Sequence, residues 1–204
     1  MTNRLKRNLI IFGIGFVAII GGIVGDIYLR DQKPGLFPSI AETPFTLISH
    51  EGKTVTNDDL IGTPTAIYFG FTWCPDICPT SLSKMADMKA ELAASYEGGL
   101  PLQLVFFTVD PLRDTPQQMA DYVSLFDGDI LGITGSEAAI GKAAKRFGIF
   151  SEKIGEGEDY LVDHSSSVYL YDQTGRFKGT ISPAEPYEMG LAKMALLTGA
   201  KGQN

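Results

Sequence analysis

The sequence predicts an α/β domain with a mixed central sheet, preceded by one N-terminal transmembrane helix. Two observations lead to this prediction. Apolar, strand-like runs alternate with helical segments along most of the chain, and a long uncharged apolar run precedes them. The 204 residues, 44% of them hydrophobic, suffice for one well-packed domain and an appendage but hardly for two domains.

The appendage is an apolar run over residues 9–25, which contains 17 residues without a charge. This length lies near the lower limit for crossing a bilayer, which is roughly 17–25 residues. Arg4, Lys6 and Arg7 precede the run, so the positive-inside rule keeps the N-terminus in the cytoplasm and exports the rest. We therefore interpret residues 1–29 as a cytoplasmic stub and a membrane anchor.

Two alternatives to an anchor remain open but are less favoured. A cleaved signal peptide has an apolar core of roughly 7–15 residues followed by a small-x-small site. The run here is longer, and its nearest candidate for cleavage is the glycine-rich stretch 21–25. A buried core helix would rarely carry a basic flank on one side only. An uncleaved anchor is the favoured interpretation.

A proline-rich segment over residues 30–44 follows the anchor. It contains Pro34, Pro38 and Pro44 and shows neither a helical nor a strand period, which is typical of a semi-rigid stalk. The folded domain is accordingly expected to span residues 45–204.

Within that domain the residue pattern predicts strands that alternate with helices. Apolar or β-branched runs predict strands at residues 45–49, 64–72, 102–109, 129–133, 167–171 and 177–181, the last two forming a β-hairpin. Helices are expected at about 79–95, 115–126, 136–147 and 186–197. This order implies a mixed sheet with helices on both faces, which is compatible with a thioredoxin-like architecture that carries insertions.

The charge of the exported part excludes one class of function. Residues 34–204 contain 12 Lys and Arg against 22 Asp and Glu, a formal charge of −10. A nucleic-acid-binding protein needs the opposite sign to neutralise phosphates. No nucleic-acid partner is therefore expected.

The chain has two cysteines, Cys74 and Cys78, in a loop between a buried strand and a predicted helix. Ligands of open α/β sheets gather at the carboxyl ends of strands, and a helix start stabilises a thiolate over a thiol. A thiolate is both the nucleophile of disulfide exchange and a metal ligand. From spacing alone the pair fits a redox couple, a metal site or a short structural disulfide.

The partners of the two sulfurs cannot be selected from spacing. His50 lies in a polar turn and is interpreted as a solvated residue, while His164 lies between two strand-like runs and is ordinarily structural. Met85 and Met88 are expected to fill the core. Asp110, Arg113 and Asp114, which follow a buried strand, form either a turn with an ion pair or the lining of the site.

Three segments of the chain resemble the Sco/SenC family of copper proteins, which serve cytochrome c oxidase assembly. They are FGFTWCPDICPT, TVDPLRDT and VDHSSSVYLYD, and they occur in that order behind an anchor and a stalk. The resemblance implies a thioredoxin-like fold in which Cys74, Cys78 and His164 bind copper together. Two thiolates and an imidazole suit copper chemically, although zinc would also accept them.

The function that the resemblance implies is a membrane-anchored copper metallochaperone, which delivers Cu(I) or Cu(II) to the dinuclear copper site of cytochrome c oxidase. The alternative is a thiol–disulfide oxidoreductase that reduces the copper-ligand cysteines of the oxidase subunit; a thiol peroxidase is less favoured. The first expected partner is that subunit, and the second is another periplasmic copper donor or thiol reductant. The expected location is the inner membrane, single-pass, with the domain in the periplasm, or in the mitochondrial intermembrane space of a eukaryote.

Overall fold

A seven-stranded mixed sheet forms the centre of the computed structural model, which describes residues 20–22, 37–157 and 159–200. Its strand order is β2-β1-β5-β4-β3-β8-β9, with β3, β4 and β5 parallel and the other pairs antiparallel. The strands are β1 (Thr46–Ser49), β2 (Thr54–Thr56), β3 (Thr65–Gly70), β4 (Gln103–Thr108), β5 (Ile130–Thr134), β8 (Val168–Tyr171) and β9 (Phe177–Ile181). All of them except β2 are predicted from the sequence.

The four predicted helices are present: α1 (Ile77–Ala94), α2 (Pro116–Val123), α3 (Glu137–Arg146) and α4 (Tyr187–Thr198). Two have the expected caps, since Thr115 Oγ accepts from the Gln118 N–H and Ser136 Oγ from the Ala139 N–H. Helix α1 begins two residues earlier than predicted, which places Cys78 in its first turn.

The two faces of the sheet are covered by different elements. Alternation along β3 and β4 sends Tyr68 and Phe106 into a cluster with α1, α2 and α4. Phe69 and Phe107 point the other way, into a cluster with α3. The central sheet with helices on both faces is therefore as expected.

The packed domain begins earlier than residue 45, where the sequence pattern placed its start. Ile40 is fully buried, and its N–H donates to the Gly175 carbonyl oxygen at 2.7 Å. Phe37 packs edge-on against Tyr169 at a centroid distance of 5.3 Å. The proline content of this segment obscured two apolar side chains that cover the α3 face of the sheet. The later part of the predicted stalk thus belongs to the domain.

A two-stranded antiparallel ribbon, β6 (Ser151–Ile154) and β7 (Leu161–His164), stands apart from the main sheet. Its strands are short and largely exposed, and only Val162 and His164 of β7 are half-buried. The sequence analysis did not predict this ribbon, because its charged residues mask the alternation. It places His164 at the end of a strand.

The predicted membrane anchor lies almost entirely outside the described residues. The chain divides into one unit over residues 1–34 and a second over residues 35–204. Of the first unit the structure describes residues 20–22, which are helical. Among the described residues, no helix has the length and apolar character needed to cross a membrane.

Candidate metal centre

Cys74 lies in a tightly packed loop that joins β3 to α1, and Cys78 closes this loop in the first turn of α1. Both are reduced; Cys78 is fully buried and Cys74 retains 9% of its exposure. Gly70, the last residue of β3, makes this packing possible. A Cβ atom there would lie 2.9 Å from the Cys78 sulfur and 2.9 Å from the rings of Tyr68 and Phe106. Glycine is therefore required where the strand passes beneath the buried sulfur.

The sulfur of Cys74 takes the place of a helix cap. Asp76, the N-cap residue of α1, makes no capping bond with its side chain, whereas the Cys78 N–H donates to Cys74 Sγ at 3.4 Å. The Cys78 thiol donates to the same sulfur, and this bond together with the backbone N–H bonds outweighs desolvation and lowers the pKa of Cys74 to about 4. Cys74 is thus the thiolate of the pair.

Cys78 has the opposite character. Its hydrogen bond to Cys74, burial and the negative charge of Cys74 together raise the pKa of Cys78 above its usual range. The Tyr68 hydroxyl lies 3.6 Å from the Cys78 sulfur and donates to it. Burial raises the pKa of Tyr68 as well, so the phenol stays protonated and available as a donor.

Asp114 ties the cysteine loop to the sheet. Its Oδ1 accepts from Thr72 Oγ at 2.6 Å and its Oδ2 from Thr108 Oγ at 2.5 Å. The Thr134 hydroxyl donates to the backbone carbonyl of Asp114 at 2.6 Å. These bonds fix the start of the loop to the ends of β4 and β5. Burial raises the pKa of Asp114, against the effect of the threonine bonds.

His164 approaches the cysteines from the β6–β7 ribbon. Its Nε2 lies 3.8 Å from Cys78 Sγ across 86 residues of sequence, and its Nδ1 lies 3.0 Å from the Ser165 carbonyl oxygen. Because a carbonyl oxygen can only accept, Nδ1 donates to Ser165, and Nε2 is the ring nitrogen that faces the sulfurs. Tyr68 and Phe71 contact the ring edge-on.

The structure thus brings Cys74, Cys78 and His164 together as a hydrogen-bonded cluster. Within the residues that the structure describes, no group of three or more His, Cys, Asp or Glu side chains is arranged to hold a metal ion as it stands. In the cluster the Cys78 thiol donates its proton to the Cys74 sulfur. Any metal ion would have to replace that proton.

Other residues singled out in the sequence have structural positions. Met85 and Met88 are buried in the core, as expected. His50 is not the solvated residue that the polar turn suggested: it is half-buried, and its Nδ1 accepts from the Gly132 N–H at 3.0 Å. This bond ties the turn after β1 to β5.

The segment after β4 forms an ion pair, and a tyrosine from the β6–β7 ribbon also donates to its aspartate. Arg113 Nε donates to Asp110 Oδ2 at 2.6 Å, and the Tyr160 hydroxyl donates to Asp110 Oδ1 at 2.6 Å. The sequence analysis named Asp110 and Arg113 but missed Tyr160 and Tyr68. The composition of the strands gives no signal for either tyrosine, since their partners lie 50 and 10 residues away.

Comparison with known proteins identifies the family. The model of the SCO1/SenC family matches residues 34–199. The chain belongs to this family. The SCO2-like protein RP587 of Rickettsia prowazekii is 39% identical over 137 residues, which cover 66% of this chain and 65% of that protein. The mitochondrial SCO2 homolog of Homo sapiens is 39% identical over 186 residues, which cover 85% of this chain and 68% of that protein. The match thus spans slightly less than two thirds of the rickettsial relative.

Solved structures of the family have the same fold. Bradyrhizobium japonicum ScoI with copper bound gives a TM-score of 0.67 at 35% identity, covering 76% of this chain and 97% of that one. BsSco, a member of the Sco family of cytochrome c oxidase assembly proteins with an identified disulfide switch, gives 0.63 at 29% identity, covering 83% and 98%. The mixed α/β fold matches the thioredoxin-like fold of Sco proteins.

Proposed function

We propose that this chain is a copper metallochaperone that binds one copper ion through Cys74, Cys78 and His164 and delivers it to the dinuclear copper site of cytochrome c oxidase. One observation carries the proposal: the Nε2 of His164 lies 3.8 Å from the buried sulfur of Cys78. The copper-bound structure of ScoI and the description of BsSco as an oxidase assembly protein support the identity of cargo and recipient.

The donor set fits copper in its chemistry, and the distance between one sulfur and the imidazole nitrogen is close to that expected at a bound ion. Soft thiolates together with imidazole suit copper, and Cu(I) in particular. Bonds of about 2.3 Å to sulfur and about 2.0 Å to nitrogen, as they occur at zinc, separate two donors of a three-coordinate ion by about 3.7 Å. The observed 3.8 Å between Cys78 Sγ and His164 Nε2 needs little adjustment.

The three side chains have separate tasks in this proposal. Cys74 is already a thiolate and retains 9% of its exposure, so it meets the incoming ion first. Cys78 must release its proton to the solvent when it binds, and the metal supplies the charge that favours this. His164 would bind through Nε2, because its Nδ1 is engaged by the Ser165 carbonyl oxygen. Copper is the cargo, which leaves when a partner offers stronger ligands.

A thiol–disulfide oxidoreductase is the second candidate, and the low pKa of Cys74 favours it. The Cys74 thiolate would attack one sulfur of a partner disulfide and release the other as a thiolate. Cys78 would then attack Cys74 in the mixed disulfide. The partner gains two thiols, and Cys74 and Cys78 become a disulfide. The disulfide switch described for BsSco is consistent with such a couple.

The location of this function is part of the proposal. Arg4, Lys6 and Arg7 before the apolar run at residues 9–25 predict that the domain lies outside the cytoplasm on a membrane anchor. In a bacterium, protease added to spheroplasts should digest the domain, and carbonate should leave the intact chain in the membrane. Protection from protease would contradict this topology.

The two functions differ in their need for His164. Losing a metal ligand should cost at least as much as losing a residue that orients one, about 10–100-fold. In full-length protein in detergent, His164→Ala should therefore weaken Cu(I) binding by more than about 100-fold yet leave disulfide exchange intact. Cys74→Ser and Cys78→Ser should lose both.

The deciding experiment introduces each variant into cells that lack this protein, under limiting copper, and measures oxidase activity. Copper delivery predicts that all three variants fail. If His164→Ala restores activity as well as the wild type while the cysteine variants fail, the oxidoreductase is the function. Metal content of the purified variants provides the control.

A further inference from the structure

The β6–β7 ribbon, which carries His164, has few contacts with the rest of the domain. Every residue of β6 is exposed, and in β7 Leu161 and Asp163 are exposed as well. Alternation along the strand places Tyr160, Val162 and His164 on the inward side. The position of the imidazole therefore depends on what these inward side chains contact.

Tyr160, which directly precedes β7, makes the strongest of these contacts. It is 93% buried, its hydroxyl donates to Asp110 Oδ1 at 2.6 Å, and the Arg113 guanidinium lies 3.7 Å from the centre of its ring. Asp110 is itself buried and accepts from Arg113 through its other oxygen. Burial and the bond to Asp110 raise the pKa of Tyr160 to about 12, so the phenol remains a donor. We call Asp110, Arg113 and Tyr160 the tyrosine latch.

The same arginine also contacts the cysteine loop. The Arg113 guanidinium lies 5.7 Å from the ring of Phe71 and 5.6 Å from the ring of Trp73, the residue before Cys74. Phe71 in turn contacts His164 edge-on, with 5.8 Å between the ring centroids. One cation therefore contacts both the loop that holds the sulfurs and the ribbon that holds the imidazole.

There is room for the ribbon to shift if the latch is broken. A cavity of about 220 Å³ lies beside it, lined by Tyr160, Val162, Asp110 and Lys153 together with residues of α3. From Tyr160 to His164 the strand runs about 13 Å at the usual rise per residue. A displacement of Tyr160 is thus carried to His164 along a single short strand.

We propose that Tyr160 is a positioning residue for the candidate metal centre: through Asp110 and Arg113 it holds His164 beside the two sulfurs. The latch acts through His164 and does not touch the metal. The inference deepens the proposed function and rests on His164 being a ligand. Loss of a residue that orients a ligand costs about 10–100-fold in metal affinity, which is the effect expected here.

The test uses Tyr160→Phe, which keeps the ring and its contact with Arg113 but removes the bond to Asp110. Tyr187→Phe is the matched control, because the Tyr187 hydroxyl also donates to a carboxylate, Glu91 Oε2, at 3.0 Å. Full-length proteins in detergent are titrated with Cu(I) against a competitor ligand. Tyr160→Phe should weaken binding about 10–100-fold, and Tyr187→Phe should change it less than threefold.

A double-mutant cycle separates positioning from general damage. In a His164→Ala background, Tyr160→Phe should cause no further loss, because the side chain that it positions is gone. An equal further loss would overturn the proposal, as would copper affinity of Tyr160→Phe within threefold of the wild type. If His164→Ala alone leaves affinity unchanged, the proposed copper site itself is wrong.

A measurement on the metal-free protein completes the test. The amides of β7 should exchange with deuterium at least tenfold faster in Tyr160→Phe than in the wild type, while those of β3 and β4 keep their rates. Unchanged exchange of the β7 amides would contradict the latch.

Discussion

The cysteine loop and the β6–β7 ribbon provide the two halves of the same candidate site in different ways. The loop is held by buried contacts: Cys78 is inaccessible, Gly70 passes beneath it, and Asp114 ties Thr72 to the sheet. The ribbon is exposed and depends on Tyr160, Val162 and the bond at its open end, where the Ser165 N–H donates to the Phe150 carbonyl oxygen at 3.1 Å. The two sulfurs are therefore held by a buried, rigid part of the domain, whereas the imidazole is held by an exposed ribbon with few contacts.

This difference suits the proposed function, in which the protein acquires a copper ion and releases it. Because the sulfurs are held in place before the ion arrives, little conformational entropy is lost when it binds. A lightly held imidazole can leave first when a competing ligand arrives. The comparison predicts that equivalent substitutions in the two regions have unequal effects.

The largest expected difference is in stability. Leu82, on α1 beneath the loop, is fully buried, whereas Leu161 on β7 is 53% exposed. Leu82→Ala should lower the free energy of unfolding by about 2–5 kcal/mol, because it leaves a cavity. Leu161→Ala should change it by no more than about 0.5 kcal/mol. Urea unfolding of both variants measures this; similar losses would mean that the ribbon is part of the core.

The next effect is the reactivity of the two sulfurs. At pH 6 Cys74, with a pKa of about 4, is a thiolate, whereas Cys78 is buried and protonated. Alkylation of the metal-free protein by iodoacetamide should modify Cys74 at least about 100-fold faster, since only the thiolate reacts. The rate at Cys74 should stay constant down to about pH 5 and fall as the pH approaches its pKa. Mass spectrometry identifies the modified residue; preferential modification of Cys78 would reverse the assignment of the charge.

The smallest effect tests the bond that fixes the start of the loop. Thr72→Val removes the hydroxyl that donates to the buried Asp114 carboxylate and should cost about 1–3 kcal/mol of stability. The control is Thr174→Val, which removes the bond from Thr174 Oγ to Asp172 Oδ1, 2.6 Å long as well but exposed. That change should cost less than about 1 kcal/mol. Equal losses would show that burial of Asp114 adds nothing.

The same contrast explains how far the sequence analysis reached. Strands β3 and β4 are buried on both faces, so their sequences are continuous apolar runs. Thr115 and Ser136 are N-cap residues that mark the starts of α2 and α3. The loop of Cys74 and Cys78 could therefore be placed between a strand and a helix. Local patterns carry this information because neighbours in sequence make the decisive contacts.

The ribbon escaped prediction because its contacts are distant. Glu152, Lys153 and Asp163 interrupt the alternation, and the partner of Tyr160 lies 50 residues earlier in the chain. Spacing alone could not assign His164 to the cysteines. In the sequence only the family resemblance links them, and the folded chain then shows that they lie close together. Ile40 was missed for a related reason, since three prolines dominate the composition around it.

The central claim is that two sulfurs of the loop and one nitrogen of the ribbon bind the same copper ion. X-ray absorption spectroscopy of the full chain, loaded with one Cu(I) in detergent, counts these neighbours directly. We predict two sulfur neighbours and one imidazole nitrogen, with the nitrogen alone lost in His164→Ala. Fewer than two sulfurs, or a spectrum that His164→Ala leaves unchanged, would contradict the account.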